Sequence, residues 1–167
     1  MKNKFIVVLT VLILIPVFYY ILNPYLNKNE YEVYPHKVAN DMVWHTTSRI
    51  EEAFIKSVEE QNIESFYLRQ LLTLYGSMNT QLSSLLGEET YPRQGNGYAV
   101  NSYLLSIENK ELDKSDWQII EQLSEDYKKL DFAQSQLVDR EGNVHTDIIK
   151  ELIDLNNQII QTVNPTK

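Results

Sequence analysis

Eighteen consecutive residues without a charge, Phe5 to Leu22 (FIVVLTVLILIPVFYYIL), constrain this chain more than any other feature. At about 1.5 Å per residue, a helix of that length spans roughly 27 Å, close to the hydrocarbon thickness of a bilayer. Met1 to Lys4 forms a short basic leader, and Tyr19, Tyr20 and Tyr25 fall where an aromatic belt would meet the far interface. Pro16 would kink a helix, but neighbouring groups in membranes tolerate such kinks. A cleaved signal peptide would need small residues just beyond the apolar run, and between Val11 and Val38 there is no Ala, Gly, Ser, Thr or Cys. A buried helix of a water-soluble core would show a polar face, and this one shows none. The expectation is therefore an uncleaved signal-anchor. Residues 1–4 form the cytoplasmic leader, residues 5–22 lie in membrane lipid, and residues 23–35 form a tether. Residues 36–167 make an extracytoplasmic domain of a single-pass cell-membrane protein. The orientation rests on the amino terminus with Lys2 and Lys4 before the run, against Lys28 and Lys37 after it, and on the order of basic leader, then apolar stretch.

Charge is distributed unevenly. Residues 1–30 hold Lys2, Lys4, Lys28 and Glu30, whereas the rest hold 12 basic and 22 acidic side chains. An acidic body repels phosphate backbones and anionic head groups, which argues against nucleic acid as a partner. The chain has no cysteine, so disulfides, thiolate catalysis and Cys-ligated metals are excluded. The Asn-, Lys- and Ile-rich usage is what an AT-rich bacterial genome encodes.

Beyond Pro35 the apolar residues recur at helical spacing. Val43, Ile50, Phe54 and Val58 share one stripe with Thr47. Leu68, Leu71, Tyr75, Met78, Leu82 and Leu85 follow steps of three and four. Between them the stripe turns polar at Ser57, Gln61 and Glu64, which predicts a turn near Glu59–Asn62 rather than one continuous helix. Gly87 reads as a helix stop. Glu88 to Gly97 (EETYPRQGNG) is a loop, and Tyr98 to Asn109 a short helix with Val100, Tyr103, Leu104 and Ile107 inward. Ser115 with Gln118 suggests a capping box opening a helix with Ile120, Leu123, Tyr127, Leu130 and Leu137 on one side. Asp139 to Asn143 reads as a turn. A last helix carries Ile149, Leu152, Ile159 and Val163 and stops before Pro165. Only Tyr31–Val33 hints at a strand. The fold class is all-α: an N-terminal transmembrane helix followed by an up-down bundle of four or five helices.

Candidates for chemistry are few. His145 lies near Glu141 and Asp147, and His45 near Asp41, but neither shows the paired spacing of a helical metal site. Adjacent acids at Glu51–Glu52, Glu59–Glu60 and Glu88–Glu89 diverge on a helix and read as a solvated face. Gln94 to Gly97 lacks the Lys and the strand context of a phosphate loop. Trp44 and Trp117 fit core or rim positions better than a ligand pocket. The expectation is no catalytic residue, no cofactor and no metal. The ten-residue loop is longer than packing requires and carries Tyr91, Arg93 and Tyr98, residue types favoured at interfaces. These three are the candidate partner-binding residues.

The expected function is a non-enzymatic, membrane-anchored helical module that binds another membrane or envelope protein at the outer face of the membrane. The Leu68–Leu85 stripe can face the domain's own core or a second copy, which leaves homo-oligomerisation open. A ligand-sensing bundle working with a separate transducer is the alternative, and an envelope-acting hydrolase ranks third.

Overall fold

The computed structural model describes residues 34–87, 91 and 95–164. The expected anchor at residues 5–22, the tether up to residue 33 and the Tyr31–Val33 patch lie outside the described residues. Among the described residues, no helix is long and apolar enough to cross a membrane.

Tyr34 holds an extended backbone and Pro35 takes the first helical position, where its fixed φ suits a helix and its missing N–H is no loss. Helix α1 runs Pro35–Glu60. It buries Val43, Thr47, Ile50 and Phe54 as the stripe requires. It ends where the polar gap predicts. Gln61 adopts φ 50°, its N–H reaches Val58 O at 3.4 Å, and Asn62 N reaches Ser57 O at 3.1 Å. Those two bonds form a Schellman stop built on Gln rather than the usual Gly.

Helix α2 runs Ser65–Leu86 and ends at Gly87 with φ 92°. Leu68, Leu71, Tyr75 and Leu82 are buried in the domain's own core, whereas Leu85 is exposed. The stripe is thus occupied within the chain over most of its length. Helix α3 spans Gly97–Ile107, α4 Lys114–Gln136 and α5 Thr146–Val163. On α4, Ile120, Leu123, Tyr127 and Leu130 are all fully buried, as is Leu137 just past its end, and the Tyr127 ring stacks on Phe54 at 5.3 Å.

The capping box of α4 differs from expectation. Asp113, not Ser115, is the N-cap. Its Oδ1 accepts from Ser115 N at 2.8 Å and Asp116 N at 3.1 Å, and Asp116 Oδ2 accepts from Asp113 N at 2.9 Å. A carboxylate is the stronger acceptor and also favours the positive end of the helix dipole, so it displaces the hydroxyl two residues on. The Asp113 carboxyl is lowered to about 2, chiefly by its bond from Ser115.

Helix α1 packs between α2 and α4, α2 on α3, α4 on α5, and α3 on α5, so the five helices close a ring. The expected turn at Asp139–Asn143 is a small hairpin between α4 and α5. A single antiparallel bridge joins Val138 to Val144, and Gly142 turns the chain at φ 82°. His36 Nε2 lies 2.6 Å from the Gly142 carbonyl oxygen, and the Tyr34 ring sits against Gly142. The start of α1 is therefore clasped by the hairpin. Among the described residues there is no named strand, and the fold is an all-α bundle of five helices.

Candidate functional site

Two groups of buried polar side chains fix segments that the helix stripes leave undetermined. In the first, Gln134 Nε2 donates to Asn40 Oδ1 at 2.7 Å, Asn40 Nδ2 donates to Gln134 O at 3.3 Å, and the Tyr91 hydroxyl donates to Gln134 Oε1 at 3.1 Å. Ser83 donates to Tyr91 O at 3.0 Å. Tyr91 is 1% exposed. One of the three candidate partner residues is thus committed to the interior, where burial pushes its phenol well above the usual range.

In the second group Asn156 Oδ1 accepts from Asn96 N at 2.9 Å, from Asn96 Nδ2 at 3.0 Å and from the Tyr75 hydroxyl at 3.3 Å. Its own Nδ2 donates to Leu152 O at 2.7 Å, and the Tyr127 hydroxyl donates to Asn96 Oδ1. Helices α2, α4 and α5 thereby meet on the turn that precedes α3. All four residues are fully buried or nearly so. Buried amides are stable when their donors are satisfied, and each N–H named here has a partner.

That seated turn brings α3 against α2. A Cβ on Gly97 would stand 2.9 Å from Leu72 O, so the two backbones approach to a distance only glycine permits. At the far end Arg69 Nη1 straddles both Glu108 carboxylate oxygens at 3.1 and 3.0 Å, and Arg69 Nε donates to Asn101 at 3.1 Å.

Between these ties lies a groove made of two adjoining hollows of about 360 and 410 Å³. Leu72, Thr73, Gly76, Thr80, Tyr98 and Asn101 line the first, and Phe66, Arg69 and Gln70 extend it through the shared Thr73 and Asn101. The hydroxyls of Thr73 and Thr80 donate back to Arg69 O and Gly76 O, each at 2.8 Å. A threonine turned onto its own helix in this way leaves its methyl facing out. Gly76 opens the floor, with nothing within 4 Å of where its Cβ would be. Phe66 is 68% exposed and Tyr98 79%, and Leu105 is exposed on the same face of α3 as Tyr98. The groove is apolar, and its lining charge, Arg69, is already matched by Glu108.

Of the three candidate partner residues, Tyr98 stands at this groove, Tyr91 is in the core, and Arg93 lies outside the described residues. Phe66, Arg69, Gly76 and Asn101 were not singled out by the sequence. The available signals were Phe66, apolar but off the buried stripe, and Gly76, a helix-weakening residue in mid-helix. Trp117 packs against the core and Trp44 stacks on His45 at 5.0 Å. His145 Nε2 is 3.9 Å from Asp139. Among the described residues, no three His, Asp or Glu side chains gather as metal ligands would.

No protein-family model matches the chain, and neither a curated protein nor a solved structure matches it.

Proposed function

We propose that this chain is a non-enzymatic, membrane-anchored helical module that binds another membrane or envelope protein at the outer face of the membrane. We further propose that it receives an apolar helical segment of that partner along α2 and α3. The observation that carries the reading is a groove whose lining charge, Arg69, is neutralised by Glu108, flanked by exposed Phe66 and Tyr98 on a strongly acidic body. Exposed aromatics beside a concave apolar floor are what helix-in-groove recognition uses. The uncharged run Phe5–Leu22 supplies the membrane anchor in this reading.

The test replaces Tyr98 with a photocrosslinking phenylalanine analogue in the intact membrane, with Lys150 on α5 as the control position. A defined adduct from position 98 and none from 150 is expected. Gly76→Leu fills the floor and removes a mid-helix glycine, so the domain should gain about 0.5–1 kcal/mol while the adduct disappears. Equal adducts from both positions, or an adduct indifferent to Gly76→Leu, would sink the docking assignment. Full protection of the domain from protease added to intact cells would sink the topology.

A further inference from the structure

Another hollow, of about 470 Å³, lies between α1 and α4 on a face unrelated to the α2–α3 groove. Its aromatic surfaces are Trp44 and Phe132, the latter 65% exposed. Its charged lining is Glu51, Glu125 and Asp131 against Lys128 and Lys129. Lys129 is partly engaged elsewhere, with its ammonium 4.0 Å from the buried Asp126 carboxylate. The Trp44 indole nitrogen and Asp131 Oδ1 are both buried, and the indole is the hydrogen-bonding group set against that carboxylate.

The carboxylates crowd one another. Glu51 titrates above the ordinary range, first because it is partly buried, then because Asp131, Glu52 and Glu125 stand near it, with Lys128 opposing. Asp131 is raised by burial and by Glu52, while the Trp44 indole and His45 act in the other direction. The hollow thus sets three carboxylates against two ammonium groups, one of which is shared with Asp126. Aromatic faces beside desolvated carboxylates attract a cation carried on an apolar stem, because the stem packs on the rings while the head meets the oxygens. The surplus of acidic residues over the rest of the domain draws such a group toward it.

We infer that this hollow is a docking site for a lysine or arginine side chain, presented by a basic segment of a partner protein and held between Trp44 and Phe132. The hollow is larger than one ammonium ion requires, which suits an alkyl chain entering with neighbouring residues. The site stands apart from the α2–α3 groove, and either can fail while the other holds.

The test uses the full chain in uncharged detergent micelles on a Trp117→Phe background, so that Trp44 is the sole tryptophan. The probes are hexalysine and its fully acetylated form. Hexalysine should change Trp44 emission saturably, and the acetylated peptide should not. Phe132→Ala should weaken binding at least fivefold and Glu51→Gln at least threefold; both positions are partly or largely exposed, so the fold survives. If Trp117→Phe perturbs the domain, the wild-type chain serves, because Trp117 lines a different hollow, with Gln61 and Leu112. Three results overturn the inference: no saturable change, equal binding of the acetylated peptide, or affinity unaffected by both substitutions. The last would mean that the peptide collects on the acidic surface at large.

Discussion

Asn156→Ala tests whether the turn before α3 is held by one side chain. The substitution removes an oxygen that accepts three hydrogen bonds, from Asn96 N, Asn96 Nδ2 and the Tyr75 hydroxyl. All three donors are buried, and each orphaned donor costs about 1–1.5 kcal/mol when water does not replace the lost partner. The bond from Asn156 Nδ2 adds little, because Leu152 O is also a helix acceptor. The expected loss is therefore about 3–5 kcal/mol, a large share of the roughly 5–15 kcal/mol that stabilises an ordinary domain. Tyr75→Phe is the matched control. It takes away one donor, at 3.3 Å, and leaves Asn156 Oδ1 with two others, so about 1 kcal/mol is expected. Urea unfolding of the full chain in detergent, followed by tryptophan fluorescence, measures both. A loss under about 1 kcal/mol for Asn156→Ala, or equal losses for the two variants, would refute the idea that this amide is the hub.

Gly142→Ala should cost about 2–4 kcal/mol, since φ 82° disfavours any side chain and the new methyl would stand 2.4 Å from the Tyr34 ring; thermal unfolding measures it. Acid should weaken the start of α4. The Asp113 carboxyl falls from 3.8 to about 2 in the folded chain, so its contribution is present above about pH 4 and is lost as pH drops through 2. Asp113→Asn keeps a good cap but does not titrate, and its unfolding midpoint should fall less between pH 4 and pH 2 than that of the wild type.

The helices were legible because burial repeats with the helical period. Val43, Ile50 and Phe54, or Ile120, Leu123, Tyr127 and Leu130, announce a buried stripe without any knowledge of what covers it. The turn at Gln61 was legible as a gap in that stripe. The buried amides were not, because Asn40 meets Gln134 across 94 residues and Asn96 meets Asn156 across 60, and nothing local distinguishes them from surface polar residues. Tyr91 shows the same limit from the other side. A tyrosine in a loop suits an interface, but it suits a core equally once a buried amide is there to take its hydroxyl. The groove was illegible because it depends on what Gly97 and Thr73 do to the space between two helices, which no single segment encodes.

The closing of the ring has a consequence for biosynthesis. Helices α1 to α3 are neighbours along the chain, and their contacts form cheaply. The amide of the Asn96 turn, however, finds its acceptor only on α5, 60 residues further along the chain. Bringing segments that far apart together carries a loop-closure entropy that local contacts escape. A nascent chain from which α5 has not yet emerged therefore lacks the wedge that sets α3 against α2. The groove between those two helices is therefore a property of the completed fold alone.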